Sequence, residues 1–250
     1  VHFDDKLAKL NSKECKEWNN LLTRTKEICE IASENGIGVM VDAEESWLQD
    51  AIDYITYQMM EIFNKDKVIV YNTIQLYRND RLQHLKDHIK KVRGGKYHTG
   101  LKLVRGAYME KERERAKKLG YPSPIQPNKF ATDRDYDEGL KICFDNADIV
   151  SLIVASHNEK STLTATKLSK QDLDNLHFSQ LYGMSDNLTF NLADAGFKVS
   201  KYLPFGPLSE VIPYLMRRAQ ENSSLSGQTG RELELLEKEW TRRKIQNKIE

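Results

Sequence analysis

Six short apolar segments, separated by stretches with helical periodicity, constrain the fold of this chain most strongly. The segments cover residues 37–42, 68–75, 100–105, 151–157, 177–182 and 197–202. Helix-patterned stretches lie between them, as in 47–63, 80–92, 136–146 and 161–168. This β-α-β-α order predicts a parallel sheet. The first strands recur about every thirty residues, which is the length of one βα unit.

The positions of the polar residues predict how this sheet closes. They gather at the carboxyl ends of the strands, where α/β barrels place their chemistry. A doubly wound open sheet is the alternative, but no GxGxxG sequence follows any strand. We therefore predict a single TIM-type (βα)8 barrel domain over residues 1–250, with six recognisable strands and a helical tail at 228–250. Because six strands are fewer than eight, we expect that two N-terminal strands are missing or that the barrel is incomplete.

Composition excludes several classes of function. Lysine and arginine total 38 and aspartate and glutamate total 37, so the formal charge of +1 gives no electrostatic footprint for nucleic acid. Cys15, Cys29 and Cys143 lack CxxC spacing, so we expect reduced thiols and a reducing compartment. His84 and His88 are expected on a polar helix face, and no histidine spacing indicates a metal site, so no metal is predicted.

The chain shows no segment that predicts membrane insertion or targeting. It contains no run of about 18 apolar residues, the length needed to span a bilayer. It begins Val-His-Phe-Asp-Asp, with no initiator methionine, no signal-peptide core and no Arg/Ser-rich transit segment. We therefore expect a mature or trimmed chain whose targeting sequence lies outside it.

Candidate functional residues follow several predicted strands. Asp42 closes the first strand, where an active-site acid and a helix N-cap are equally reasonable roles. His157 and Asn158 follow the fourth strand, and a histidine there offers two ring nitrogens to a ligand. Lys102 and Arg105 are three residues apart in the third strand, so they are expected to point to opposite faces.

Gly106 and a segment near the C-terminus complete the set of candidates. Gly106 would let the backbone approach a planar or phosphate-bearing ligand. Tyr214, Arg217, Arg218 and Glu221 share one helix face, where paired guanidiniums could bind a carboxylate. By spacing alone, a solvated charged face is the simpler interpretation of these four residues.

Five ordered motifs resemble those of the proline dehydrogenase family. They are Val-Asp-Ala-Glu-Glu (41–45), Lys-Leu-Val-Arg-Gly-Ala-Tyr (102–108), Val-Ala-Ser-His-Asn (154–158), Gln-Leu-Tyr-Gly-Met (180–184) and Tyr-Leu-Met-Arg-Arg-Ala-Gln-Glu-Asn-Ser-Ser (214–224). The similarity runs from about residue 35 to 239. The segment Tyr-Pro-Ser-Pro-Ile-Gln-Pro (121–127) and the serines after the arginine pair resemble the eukaryotic, mitochondrial branch.

The resemblance implies an FAD-containing barrel whose last helix lies over the strand ends. It implies oxidation of L-proline to Δ1-pyrroline-5-carboxylate, with hydride transfer to flavin N5 and electrons passed to a quinone. Asp42 and Lys102 would be catalytic. The flavin would be lined by Gln75, Lys102, Val104, Gly106, Ser156, His157 and Asn158. The proline would be held by Tyr202, Tyr214, Arg217, Arg218 and Glu221.

The resemblance also implies a place in the cell and leaves alternatives open. It implies a mitochondrial protein on the matrix side of the inner membrane, with peripheral membrane association and no nucleic-acid partner.

The chain departs from the family pattern at two places. Bacterial relatives have arginine at the position of Lys102 and lysine at the position of Arg105, and a carboxylate-binding lysine upstream is missing here. The alternatives are a hydroxyproline dehydrogenase, which the bulk of Tyr202 disfavours, and a truncated paralogue without activity.

Overall fold

The computed structural model describes residues 3–169, 175–224 and 226–246, and the side chains of 217–232 and 246 lie outside that description. The chain divides into two compact units. The first contains the residues up to Gln180 together with Leu188–Ser200. The second contains Leu181–Asn187 and the chain from Lys201 onward.

The predicted strands are confirmed. They are β1 (Val39–Val41), β2 (Val70–Gln75), β3 (Thr99–Val104), β4 (Val150–Ala155), β5 (Leu176–Leu181) and β6 (Lys198–Tyr202). They form one six-stranded sheet in the order β1-β2-β3-β4-β5-β6. The pairs from β1 to β5 are parallel. Sequential order is that of a barrel, because a doubly wound sheet reverses its strand order near the middle.

Helices connect the strands. They are α1 (Phe3–Leu7), α2 (Ser12–Glu34), α3 (Ser46–Phe63), α4 (Arg81–Arg93), α5 (Met109–Leu119), α6 (Lys129–Phe144), α7 (Glu159–Leu168), α8 (Asp186–Asp194), α9 (Leu208–Ser224) and α10 (Ser226–Gln246). The helices predicted between the strands are confirmed as α3, α4, α6 and α7. The sequence patterns missed α1, α5 and α8. Helix α10 lies within the region of the predicted helical tail, and residues 247–250 of that tail lie outside the described residues.

Local signals mark both ends of the long helix α2. Asn11 accepts hydrogen bonds from the backbone N–H groups of Lys13 and Glu14, and Glu14 bonds back to the Asn11 N–H, which completes a capping box. Gly36 follows the helix with φ of 67°, a left-handed conformation that favours glycine. The chain then turns directly into β1.

One face of the sheet packs on the helices. Leu101 and Leu103 of β3 are fully buried against α4 and α6, where Leu85, Tyr136 and Leu140 belong to the same cluster. Val70, Met59 and Met60 belong to a second cluster with Cys29 of α2. Because strand side chains alternate, the residues between these apolar positions point to the other face of the sheet.

The other face of the sheet carries most of the strand residues that are predicted to be catalytic or to line the flavin. Side chains that alternate with the helix-facing residues lie on this face. They are Asp42 after β1, Gln75 of β2, and Lys102 and Val104 of β3. Cross-strand contacts agree with this assignment, since the Tyr71 and Ser151 hydroxyls lie 2.9 Å apart across the intervening β3. This face therefore positions the candidate site.

The second unit begins at the turn after β5. The Tyr182 N–H donates to the Tyr202 carbonyl at 3.1 Å, and Lys201 Nζ lies 2.8 Å from an Asp186 carboxylate oxygen. Helices α9 and α10 complete the unit. Among the helices described, none combines the length and apolarity needed to cross a membrane.

Candidate functional site

An ion pair joins the carboxyl ends of β1 and β3. Lys102 Nζ donates a hydrogen bond to Asp42 Oδ1. The Lys102 side chain is only 12% exposed, whereas that of Asp42 is 53% exposed. The N-cap of α3 is Glu45, so Asp42 does not have the N-cap role, and its role as an active-site acid stays a prediction. A cation held at this edge can stabilise negative charge on a ligand.

Gln75 adds a buried acceptor on the same sheet face as this cation. Gln75 is the last residue of β2. It lies two residues after Thr73, which is the cross-strand partner of Lys102. Gln75 is 2% exposed, and its Oε1 has no hydrogen-bond partner among the described residues. A buried, unpaired carbonyl costs about 1–3 kcal/mol, so a ligand N–H at this position would be stabilising. Val104 lies opposite Gln75 on β3 and is half-buried.

Gly106 is required by a neighbouring ring. Its φ is 133°, and an added Cβ would lie 2.3 Å from carbons of the Tyr77 ring. The Tyr77 ring is therefore sufficient to explain glycine at this position. The close approach of a ligand to the Gly106 backbone stays a prediction. Any side chain at this position would displace Tyr77 and adopt an unfavourable backbone conformation.

The segment after β4 is fixed by its own hydrogen bonds. Ser156 is buried, and its Oγ accepts from Arg105 Nη1 at 2.7 Å and from the Asn158 N–H at 3.1 Å. Asn158 is the N-cap of α7, because its Oδ1 accepts from the Ser161 N–H at 3.0 Å. His157 is half-buried between them. Arg105 follows the end of β3 directly, and its partners differ from the partner of Lys102.

Two of the predicted substrate residues meet in the second unit. The rings of Tyr202 and Tyr214 have centroids 5.5 Å apart and an interplanar angle of 53°. The backbone of Arg217, Arg218 and Glu221 belongs to α9, but their side chains lie outside the described residues. Their predicted grip on a carboxylate, and the placement of α9 over the strand ends, therefore stay predictions.

A buried ionic network beneath the sheet was missed by the sequence patterns. Arg81 Nη2 of α4 donates to Asp53 Oδ2 of α3 at 2.7 Å, and both side chains are at most 7% exposed. Gln49 and Asn72 also donate to Asp53. Burial alone would raise the pKa of Asp53, but Arg81 and these hydrogen bonds outweigh burial and lower it. The network fastens α3 and α4 to β2.

The expectation that His88 lies on a polar helix face is wrong. His88 is 5% exposed, stacks on the Tyr57 ring with centroids 4.0 Å apart, and bonds the Thr99 hydroxyl at 2.8 Å. Burial lowers its pKa to about 3. His84 bonds the Tyr57 hydroxyl at 2.6 Å, and burial lowers its pKa also. Both histidines belong to the packing of α3 against α4.

Comparisons with known proteins give one consistent result. A model of the proline dehydrogenase family matches residues 3–231. Proline dehydrogenase 1, mitochondrial, from Caenorhabditis elegans is 42% identical over 247 residues, which cover 95% of this chain and 40% of the worm protein. Hydroxyproline dehydrogenase from Xenopus laevis is 38% identical over 243 residues, which cover 94% of this chain and 52% of the frog protein. The chain thus spans about half the length of these relatives, or less.

The fold has relatives among solved structures. The crystal structure of proline utilization A from Bdellovibrio bacteriovorus, inactivated by N-propargylglycine, matches with a TM-score of 0.77 and 26% sequence identity. The match covers 84% of this chain and 22% of that chain. It agrees with a TIM-type barrel as the architecture to which the six strands belong.

Proposed function

This chain belongs to the proline dehydrogenase family, and from that premise we propose that it carries the flavin-binding and proline-oxidising site of an FAD-dependent enzyme. The reaction converts the ring C–N bond of L-proline to C=N and yields Δ1-pyrroline-5-carboxylate. A quinone is the electron acceptor. The names of the worm, human and plant relatives support a mitochondrial location, which we propose is the matrix side of the inner membrane, with peripheral association.

The single observation that supports a flavin most directly is the Gln75 carbonyl, which is buried without a partner among the described residues on the same sheet face as Lys102. A flavin ring presents both an N–H donor and electron-rich acceptors, so a buried acceptor and a neighbouring cation suit its polar edge. The residues that would hold the flavin are Gln75, Lys102, Val104, Gly106, Ser156, His157 and Asn158. When bound, the flavin supplies a two-electron acceptor, receiving hydride at N5.

Lys102 and Asp42 prepare the site electrostatically. Asp42 holds the Lys102 ammonium in place by a direct hydrogen bond. Since the Lys102 side chain is largely withdrawn from water, its charge is less screened than a surface charge would be. A fixed cation needs little reorganisation to stabilise negative charge that develops during the reaction. Both residues therefore act by position and charge.

We assign proline binding to the second unit. Tyr202 and Tyr214 offer two adjacent aromatic rings for the body of a small ring substrate. Arg217 and Arg218 would bind its carboxylate with paired N–H donors, and Glu221 would hold the arginine pair. Orientation of the substrate carbon toward the acceptor is the contribution required of these residues.

Hydroxyproline oxidation is the second candidate, and the similarity to the Xenopus laevis protein favours keeping it. The bulk of Tyr202 argues for unsubstituted proline, because a phenol near the ring would crowd a hydroxyl substituent. Comparing turnover of L-proline and trans-4-hydroxyproline by the purified protein separates the two. Preference for proline by at least about tenfold, equivalent to ~1.4 kcal/mol, is expected. Equal turnover would contradict the argument from Tyr202.

The flavin content of the purified protein tests the catalytic assignment itself. We expect a yellow protein with flavin absorbance. A colourless protein that binds no added FAD would instead support a paralogue without activity. The variant Gln75→Leu should weaken FAD binding by about tenfold, because it removes the only polar group of that side chain while keeping its size.

A further inference from the structure

Arg105 connects three separate segments of the first unit. Its Nε donates to Asp133 Oδ1 of α6 at 2.8 Å, its Nη1 to Ser156 Oγ at 2.7 Å, and its Nη2 to Ser161 Oγ of α7 at 3.0 Å. The guanidinium carbon lies 4.3 Å from the centroid of the fully buried Tyr136 ring. Both edges and one face of the guanidinium are thus engaged at once.

The two serine partners of Arg105 enclose the predicted flavin segment. Ser156 and Ser161 are 7% and 1% exposed, and they flank His157 and Asn158 in the sequence. Ser156 Oγ also accepts a hydrogen bond from the Asn158 N–H, and the Ser161 N–H donates a hydrogen bond to Asn158 Oδ1. Displacement of either serine would therefore move the backbone that carries His157.

The charge of Arg105 is balanced within the same cluster. Burial by itself would raise the pKa of Asp133, but hydrogen bonds from Lys129 and Arg105 outweigh it and lower the pKa. Ser161 Oγ donates onward to Asp137 Oδ1 at 2.5 Å. Asp133 therefore stays ionised at neutral pH, and the Arg105 fork remains anchored to α6.

Lysine would not reproduce this geometry. A guanidinium is planar and directs several N–H groups in a fixed fork, whereas an ammonium is a point charge on a flexible stem. Only the planar group can stack on Tyr136 while bonding Asp133, Ser156 and Ser161 together. With the partners that this chain provides, arginine therefore contributes a fixed geometry in addition to a positive charge.

We propose that Arg105 is a positioning residue for the flavin, which fixes the segment 156–161 and thereby sets flavin affinity and reduction potential without contacting proline. This rests on the proposed function. Side chains that contact a ligand keep their geometry only when neighbouring hydrogen bonds lock them in place. Arg105, directly after β3, supplies these hydrogen bonds through Ser156 and Ser161.

The test compares Arg105→Lys with Arg93→Lys in the full protein. Arg93 makes four side-chain hydrogen bonds, to Asn146 and Asp148, compared with three for Arg105, but it lies on α4 away from the segment. In the flavin-free protein, hydrogen exchange of the amides of 156–161 should quicken at least about tenfold in Arg105→Lys and stay unchanged in Arg93→Lys. FAD affinity should weaken about tenfold in Arg105→Lys alone.

The kinetic and redox readouts separate positioning from mere stability. In Arg105→Lys, kcat should fall and the flavin potential should shift, whereas KM for proline should stay within about twofold. Ser161→Ala, which keeps the arginine, should produce part of the same exchange and affinity effects if Arg105→Lys is too unstable to purify. Equal exchange, affinity and potential in Arg105→Lys, Ser161→Ala and wild type would overturn the proposal. Failure of the wild type to bind FAD would instead overturn the proposed function.

Discussion

Lys102 on β3 donates a hydrogen bond to the carboxylate of Asp42, which lies 60 residues earlier in the chain. The strand β2 runs between the two strands that carry them. The pair therefore depends on the parallel order of the sheet. It also lies on the sheet face opposite the helices, the face that carries Gln75, whose carbonyl has no partner among the described residues.

Removal of the Lys102 charge should impair chemistry more than folding. In Lys102→Met, the rate of flavin reduction by proline should fall about 100-fold, because a fixed cation near the reacting group is lost. The melting temperature should change little, since an ion pair with an exposed partner contributes about 0–1 kcal/mol. Lys91→Met is the control, because Lys91 forms an exposed ion pair with Glu61 between α4 and α3, outside the candidate site. Equal reduction rates in the two variants would contradict the role of Lys102.

Loss of Asp53 should destabilise the protein strongly. In Asp53→Ala, the Arg81 guanidinium keeps its charge while it is 3% exposed and without its carboxylate, which costs about 3–5 kcal/mol. Asp148→Ala removes the partner of the exposed Arg93 and should cost no more than about 1 kcal/mol. Urea unfolding at pH 7 measures both changes. Similar destabilisation by the two substitutions would show that the buried network is not what fastens α3 to α4.

The buried histidines should make stability fall with decreasing pH. Burial lowers the pKa of His88 from 6.5 to about 3, so the folded protein stays neutral there while the unfolded chain takes up a proton below about pH 6.5. The free energy of unfolding should therefore drop by up to ~1.4 kcal/mol per pH unit for this group between about pH 6 and 4. The pKa of His84 is lowered also, so it adds to the same slope.

The substitution His88→Gln tests the source of that slope. Glutamine keeps a donor for Thr99 but does not titrate, so urea unfolding between pH 7 and 5 should show a shallower loss of stability than in wild type. The stability at pH 7 should fall by about 1–2 kcal/mol through lost packing on Tyr57. An unchanged pH slope would assign the effect to other groups.

Glycine is required at position 106 for a different reason than at 120. Gly106→Ala should cost well over 1 kcal/mol, because the added Cβ would lie 2.3 Å from the Tyr77 ring. Gly120 also has positive φ, at 71°, but nothing lies within 4 Å of an added Cβ. Gly120→Ala should therefore cost only about 1 kcal/mol, from backbone conformation. Thermal unfolding of both variants measures the difference, and equal costs would remove Tyr77 from the explanation.

The strands and most helices could be predicted because their signals are local. Apolar runs and helical spacing depend on neighbouring residues, and the capping box of α2 is complete within Asn11–Glu14. Helix α5 was missed because Met109–Leu119 is rich in charged residues and buries only Glu112 and Ala116. Its buried Glu112 caps α3 at Ser46, 66 residues away, and spacing gives no signal of such a contact.

The candidate site was predictable in part. Strand order brings Asp42 to Lys102, and alternation places Gln75 and Val104 on the same sheet face, as patterns at strand ends suggest. The fork of Arg105 could not be predicted, since its partners lie 28, 51 and 56 residues further along the chain. Such contacts follow from how βα units pack beside one another, and a single sequence does not specify that packing.

We propose that this protein oxidises L-proline with a flavin bound at the sheet face that carries Lys102. The most direct measurement is anaerobic mixing of the purified, flavin-loaded protein with L-proline while the flavin absorbance is recorded. We predict full bleaching in the wild type, and bleaching slowed at least about 100-fold at the same proline concentration in Arg217→Met and in Arg218→Met, because each loses part of the carboxylate site. A flavin that stays oxidised in the presence of saturating L-proline would contradict the account.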